Sequence, residues 1–348
     1  MTLGTDLFDR CIDVYVYDKN REELVSIKTP EVGPKPEIKV EGTLLANTYQ
    51  IAGKVTITNL ERSVAVESAK YLRVEMYYKG ATFANAIRKS ILYEVTFADQ
   101  SKQPPNRQVC FNCLVAGVTP NIMSLRTTIG SVDANGLPVE QTIPQILKQV
   151  IAVYNLALAT VCPAWVNDLK LSAEPEFRMS ASAQASIKAK KISTQWVNKS
   201  LAEILDSLTE MSIEEEPLTL YPDGKPVNRN YIAYTYYIAD NKFIVAETPS
   251  NKHIPITGPA ELELSYVLSA YRYGPQVNVR SLFDPRIHQD MDLSISSSNL
   301  YGKKVSGDLI PLVADAGGQV RFRPVGGIPF VFSTTGENWM QMQGVMYS

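Results

Sequence analysis

The chain has 348 residues and a formal net charge of −2. That length holds two to four compact modules or one large domain, and the balanced charge excludes a protein that grips nucleic acid through a strongly basic surface. Hydrophobic residues make up 45% and charged residues 20%, which excludes a disordered chain and predicts a packed core.

The first third reads as strands. "MTLGTDLFDRCIDVYVYDK" has no basic stretch followed by an apolar one, so no signal peptide is expected. No run of about 18 apolar residues predicts a membrane span, and a soluble chain made in the cytosol is expected. "CIDVYVYD" alternates cleanly, and "IKVEGTLL" and "YQIAGKVTITNL" follow between turn-prone "PEVGPKPE" and "ANT". "VAVESA" fits one helical turn capped by Asn59 or Ser63. "YLRVEMYYKG" is a strand with Leu72, Val74, Met76 and Tyr78 on one face, and "SILYEVTFAD" and "RQVCFNCLVAGV" complete a group of six or more. Eighteen tyrosines favour strands, and 21 prolines and 19 glycines imply many turns.

The middle third changes period. "TIPQILKQVIAVYNLAL" places Ile143, Ile146, Leu147, Val150, Ile151 and Tyr154 at helical spacing. Thr142 with Gln145 forms a capping-box pattern, with Pro144 tolerated in the first turn. "SLAEILDSLTEM" repeats the theme, with Leu201, Ile204, Leu205, Leu208 and Met211 on one face and Ser200 with Glu203 as the box. Strand-like segments follow each helix: "DLKLSAEPEFRMSA" after the first, "YIAYTYYIADNKFIVAET" after the second. Two small α/β units are expected. The last third returns to strands: "AELELSYVL", then a strand, a Pro turn and a strand in "YGPQVNVRSLFDPRIHQDMDLSISS". Two strands across the Gly-Gly turn of "VRFRPVGGIPFVFSTTGENWMQMQGVMYS" close the chain.

Candidate chemistry is sparse. Cys110 and Cys113 of "CFNC" have the spacing of a zinc or redox half-site. In a strand, however, they face opposite ways and cannot chelate one ion, so Cys11, Cys110, Cys113 and Cys162 read as structural cysteines. His253 and His288 are the only histidines; His288 lies near Asp284 and Asp290 but reads as a surface turn residue. Glu214, Glu215 and Glu216 read as a solvated helix end. Asp315 is a faint, single echo of an aspartic-protease loop. Lys188, Lys190 and Lys191 read as a solvated basic loop, with Trp196 packing on the helix that follows. Tyr231, Tyr234, Tyr236 and Tyr237 read as packing or interface residues. No G-x-S-x-G, P-loop, dinucleotide-binding or H-E-x-x-H pattern occurs. Neither a catalytic residue nor a metal or cofactor is assigned.

The order of these segments resembles the baseplate hub proteins of tailed phages and related contractile injection machines. Three places carry the likeness. The first is "KVTITNLERSVAVESAKYLRVEMYYKG", with its Asn59-Leu60 pair, short helix and Tyr78-Lys79-Gly80 ending, where the family more often has Gly-Tyr. The second is the two capped helices, each leading to a small sheet. The third is "AELELSYVLSAYRYGPQVNVRSLFDPRIHQDMDLSIS", where Val279, Ser281, Leu282 and Pro285 supply a shifted V-x-S-L-x-x-P turn. "GENWMQMQGV" resembles the family's final Trp-containing strand.

The resemblance implies an α+β, mainly β chain. Its expected parts are a tube-like β domain at 1–120, small α/β units at 121–192 and 193–257, and a second tube-like β domain at 258–348. It implies a non-enzymatic homotrimer in the virion tail, whose pseudo-sixfold ring joins the six-fold tail tube to the three-fold central spike. Tail tube or tube-initiator, spike and possible tape-measure proteins are the implied partners, and the genome passes through the lumen without specific binding. The lumen wall is expected to be polar or acidic and the inter-subunit strands apolar. The alternatives are another tail-tip or distal-tail protein and a tail-associated cell-wall hydrolase.

Overall fold

The computed structural model describes residues 9–44, 52–60, 66–79, 88–100, 107–179, 181–212, 214–215, 231–239, 241–248, 262–264, 266–273, 276–287, 291–296, 301–303, 309–311 and 319–346. The chain is α+β and mainly β. One compact unit joins residues 1–119 to 257–347, and a second spans 120–256.

The first segment supplies β1 (Arg10–Tyr17), β2 (Glu23–Ile27), β3 (Ile38–Leu44), β4 (Ala52–Thr58), β5 (Tyr71–Tyr78), β6 (Lys89–Gln100) and β7 (Gln108–Val115). Leu72, Val74, Met76 and Tyr78 all face the core, as their alternation predicts. The turn at "VAVESA" is a 3-10 helix, Val66–Ser68. Asn59 does not cap it. It ends β4 with φ 63°, a conformation asparagine tolerates better than most residues, and donates its N–H to Arg107 O at 2.7 Å. Ser63 lies outside the described residues.

The second unit contains β8 (Arg126–Ile129), α1 (Ile143–Val161), β9 (Glu176–Arg178), α2 (Ala181–Ala189), β10 (Trp196–Ser200), α3 (Leu201–Ser212), β11 (Glu214–Glu215), β12 (Tyr231–Ala239) and β13 (Lys242–Thr248). All six apolar positions named for α1 are buried. Its start is fixed by Gln145 Oε1, which accepts the Thr142 N–H at 2.8 Å and the Thr142 hydroxyl at 3.1 Å. At α3 the box closes in both directions: Glu203 N–H donates to Ser200 Oγ at 3.1 Å, and Ser200 N–H to Glu203 Oε2 at 2.7 Å. The bond from the Ser200 N–H, first among the causes, holds the Glu203 carboxyl below its ordinary range. Met211 departs from the expected buried face and is 38% exposed, in the last turn. A four-stranded sheet runs β9-β13-β12-β11, and a two-stranded ribbon pairs β8 with β10.

Helix α2 corrects the reading of its segment as strand followed by loop. "ASAQASIKA" carries little apolar periodicity, but alanine is the strongest helix former, and Ala183 and Ile187, four apart, supply a buried seam. Lys188 therefore lies in a helix, its ammonium 4.7 Å from the centre of the Phe177 ring.

The last segment supplies β14 (Leu262–Glu263), β15 (Val267–Tyr273), β16 (Gln276–Ser281), β17 (Leu293–Ser296), β18 (Tyr301–Lys303), β19 (Leu309–Pro311), β20 (Gln319–Pro324), β21 (Ile328–Ser333) and β22 (Asn338–Met346). "AELELSYVL" does not stay one strand. Its first part pairs with β17 and its second with β16, so one alternating pattern serves two partners. The chain closes with three strands rather than two. β20 and β21 flank the Gly-Gly turn, where Gly326 has φ 75°, and both pair with β22.

All first-unit strands join one 16-stranded sheet with the path β2-β1-β5-β6-β7-β4-β3-β21-β22-β16-β15-β18-β19. Two five-strand blocks in it share one plan. In chain order the first is β3, β4, β5, β6, β7, and in the sheet it runs β5-β6-β7-β4-β3. The second is β15, β16, β17, β20 with β21, β22, and it runs β17-β20/β21-β22-β16-β15, with β20 and β21 acting as one broken strand. Matching strands run in matching directions, because each pair within both blocks is antiparallel and so is the β3–β21 joint between them. The blocks are thus laid head to tail.

Glycines admit the largest rings to the shared core. Gly42 and Gly53 face each other across β3 and β4, and the Tyr93 ring of β6 lies over them. A Cβ on Gly53 would stand 2.6 Å from Tyr93 Cε1, and Tyr93 is wholly buried. Gly53→Ala is expected to destabilise the chain by about 1–3 kcal/mol through overpacking. Urea unfolding checks it, and an unchanged midpoint would show that the ring moves aside freely.

Candidate assembly surface

Three features organise the first unit's surface: the network that locks its two segments together, the outward face of the sheet, and the open strand edges.

The lock centres on Tyr78, the last residue of β5. Its hydroxyl donates to Phe283 O and accepts from Asn338 Nδ2 at 3.0 Å. Asn338 Oδ1 in turn accepts the Phe283 N–H at 3.2 Å. The Tyr78 ring meets Phe332 edge-on, with centroids 5.4 Å apart, and Phe283 stacks obliquely on Phe330 and Phe332. Burial pushes the Tyr78 phenol above its ordinary range, so it stays a neutral donor. The V-x-S-L-x-x-P turn is built here. Val279 and Pro285 are buried, and Ser281 Oγ donates to Leu282 O at 3.0 Å. Asp284 holds Arg286 through two nitrogens, a pairing internal to the turn. The sequence drew notice to the turn but not to Phe283, Asn338 or the hydroxyl of Tyr78. The one available signal was a tyrosine on a buried strand face, whose hydroxyl requires a partner.

A second network pins the segment after β2. Asp13 is buried and accepts the Thr29 N–H at 2.8 Å and the Tyr77 hydroxyl at 3.1 Å. Arg88 bridges towards it and binds Glu75 at 3.0 Å, with its guanidinium 4.1 Å from the Tyr77 ring centre. Glu94 is also buried and pairs with Lys70 at 2.8 Å. Every partner in both networks lies in neighbouring strands or turns, which makes these carboxylates structural ties.

The outward face follows from the registers. Asn112, Lys54, Glu41 and Val331 lie in one row across β7, β4, β3 and β21. Gln343, Asn278 and Tyr271 lie in another, and Gln341, Arg280 and Ser269 in a third. Charges on this face are largely paired or covered. Lys39 binds Glu41 at 3.0 Å and Glu337 at 3.4 Å, with the Glu41 bond first among the causes that raise its pKa. Arg280 sits over Trp339, 4.5 Å from the ring.

Several strand edges are open among the described residues, the outer edge of β2 included, and two of them carry an exposed large apolar side chain. β6 changes partners along its length: Lys89–Glu94 pairs with β5 on one side, and Tyr93–Gln100 with β7 on the other. Beyond Glu94 the β5 side meets no described strand. A bulge at Thr96 turns Phe97 outward, and it is 60% exposed. The second open edge is the start of β15. There β18 pairs only at Tyr271 and Arg272, and Leu268, at a bulge, is 55% exposed.

The residues weighed for chemistry are dispersed. His253, His288, Asp290, Asp315 and Glu216 lie outside the described residues. Helix α3 ends at Ser212, and Glu214–Glu215 is a strand paired with Tyr231 and Ile232, so these acids are not a helix end. Tyr234, Tyr236 and Tyr237 are buried on both faces of β12. Trp196 reaches α3, donating Nε1–H to Ser207 Oγ at 3.1 Å. Among the described residues no group of three or more His, Cys, Asp or Glu is placed to hold a metal, and no single helix is long and apolar enough to cross a membrane.

No protein-family model matches the chain, and no curated protein matches it in sequence. Among solved structures it is similar to a tail protein from Neisseria meningitidis MC58 (8% identity, 97% of each chain, TM-score 0.43). It is also similar to the 43 kDa tail protein of prophage MuSo2 from Shewanella oneidensis (9% identity, 97% of this chain and 96% of that one, TM-score 0.42). A third similarity is to a chain of the Francisella PdpA-VgrG complex (9% identity, 97% of this chain and 58% of that one, TM-score 0.40).

Two outcomes test these networks. Tyr78→Phe leaves Phe283 O and the Asn338 amide without their shared partner, and a loss of about 1–3 kcal/mol is expected; equilibrium denaturation with an unchanged m-value checks it. In "CFNC", Cys113 faces the core beside Val109 and Phe111, while Cys110 faces outward. Burial pushes the Cys113 thiol up to about 12, so the thiolate is scarce at pH 8 and the site is inert. Alkylation of the folded protein at pH 8 is expected to modify Cys110 first and leave Cys113 intact, read by peptide mass spectrometry.

Proposed function

We propose that this chain is a structural hub of a phage tail baseplate, a homotrimer whose ring joins a six-fold tail tube to a three-fold central spike. The observation that carries this reading is the head-to-tail repeat of one five-strand plan within a single sheet. Three chains with two such blocks each offer six similar positions to a tube above, while presenting only three identical subunits to a spike below. A second block after Thr257 favours a hub over a tail-tip protein with one block. The ordered likeness of "KVTITNLERSVAVESAKYLRVEMYYKG" and the Val279–Pro285 turn to hub proteins points the same way.

The proposed role is passive. The outward face is rich in amides and hydroxyls and its charges are largely paired, which suits a surface that a polyanion slides past without capture. The partners are a tube or tube-initiator protein, a spike and possibly a tape-measure protein, and the chain performs no catalysis of its own. The virion tail is the proposed location.

Native mass spectrometry of the full chain, alone and mixed with the tube and spike proteins of the same particle, tests this. A trimer that binds both is expected, with six-fold modulation in end-on electron-microscopy averages. A chain that stays monomeric alone and with either partner overturns the proposal.

A further inference from the structure

We infer that Asn135 is a site of covalent self-modification, where the side-chain amide is lost to the chain's own backbone and an aspartyl or isoaspartyl residue is left. Asp133 sets the rate, because its carboxylate holds the turn shut. The inference is independent of the hub reading. It comes from one turn that the chain builds twice.

Asp133-Ala134-Asn135-Gly136-Leu137 forms a hairpin loop. The Asp133 N–H donates to Leu137 O at 2.8 Å, and the Gly136 N–H to Asp133 O at 3.0 Å. Gly136 takes the left-handed conformation, φ 78°, which such a loop requires after its type I turn. Asp133 Oδ1 accepts the N–H groups of Asn135 at 2.9 Å and Leu137 at 2.8 Å. Asp18-Lys19-Asn20-Arg21-Glu22, between β1 and β2, repeats each of these bonds. The Asp18 N–H donates to Glu22 O at 3.0 Å, and the Arg21 N–H to Asp18 O at 3.3 Å. Asp18 Oδ1 accepts the Asn20 and Glu22 N–H groups, both at 2.8 Å. Arg21, with φ 71°, stands where Gly136 stands.

Two differences make only one of the turns reactive. The nucleophile is the backbone nitrogen after the asparagine, and a side chain on that residue shields it. Gly136 carries none, Arg21 a long one, and Asn135-Gly136 is the only Asn-Gly pair in the chain. The Asn20 amide is also held, its Nδ2 donating to Asp18 Oδ2 at 3.2 Å. Asn135 is exposed, and its side-chain amide makes no hydrogen bond among the described residues. In the step, Gly136 N bonds to Asn135 Cγ, the Cγ–Nδ2 bond breaks, and ammonia leaves with the proton that Gly136 N gives up. Water then opens the cyclic imide at either carbonyl, giving aspartate or an isoaspartate whose backbone runs through Cβ. The third residue of a type I turn has ψ of about 0°, which points the Gly136 nitrogen away from Cγ. Ring closure therefore breaks the Gly136–Asp133 bond and needs the turn to open locally. Asp133 opposes that opening through two charge-assisted bonds. The product adds a negative charge close to Asp133, beside the exposed Val132 and Leu137.

The full chain, incubated for days in mildly alkaline buffer, tests it by peptide mass spectrometry with isoaspartate resolved from aspartate. Asn135 is expected to convert to a mixture of the two while Asn20 stays intact. Asp133→Ala removes both cap bonds and is expected to speed the conversion roughly tenfold or more. Arg21→Gly is expected to make Asn20 convertible, more slowly than Asn135 because Asp18 still holds its amide. This arm probes the same chemistry without touching the second unit. An Asn135 that stays intact, or a wild-type Asn20 that converts as fast, overturns the site. An unchanged rate in Asp133→Ala overturns the control by Asp133, and an inert Asn20 in Arg21→Gly overturns the role given to glycine.

Discussion

Everything in the first unit depends on one long-range strand pairing, β3 against β21. Ile38 donates its N–H to Thr334 Oγ1 at 3.0 Å across a separation of 296 positions, and closing a loop of that length costs about 5 kcal/mol of chain entropy. The return is a shared core. Ile38, Val40, Phe330 and Phe332 are fully or almost fully buried around the joint, each contributing about 1.5–3 kcal/mol, so together they exceed the closure cost. Tyr78 adds a polar lock to this apolar seam. It is the last residue of β5 and reaches the turn and final strand of the other segment, so N-terminal and C-terminal blocks register against each other at one hydroxyl. Tyr78, in the ending where the likeness to hub proteins is weakest in sequence, is thus a residue that ties one segment to the other.

Much of this was legible in the residues, and the reasons are local. Period-two alternation with one buried face placed β1, β4, β5 and β7. Period 3.6 with a Ser or Thr cap and Glu or Gln three residues on placed α1 and α3. What was missed has physical causes of three kinds. Helix α2 has propensity without pattern, since alanine stabilises a helix while leaving no stripe to read. The split of "AELELSYVL" and the third closing strand reflect partner choice, which depends on residues far along the chain. The five-strand repeat is invisible because the blocks share topology while their side chains differ: Val55 on β4 and Val279 on β16 hold matching places, but their cross-strand partners are Phe111 of β7 and Met342 of β22.

The same division holds for the surface. That "CFNC" cannot chelate one ion follows from strand parity alone. Bulges at Thr96 and Leu268 do not, because a bulge is a mismatch between two strands and is written in neither by itself. Alternation continued through β6 would bury Phe97 beside Tyr93 and Val95. The extra residue instead sends Ala98 inward and Phe97 out.

A chain that carries the same block twice must solve the edge problem twice. The first solution is internal, β3 on β21, and is stabilised by high effective concentration because both strands belong to one chain. The outer strands of the two blocks are only partly covered among the described residues, β15 by β18 and β6 by β5. Head-to-tail repetition inside the chain therefore builds one continuous sheet from two distant segments and fixes the direction in which the second block follows the first.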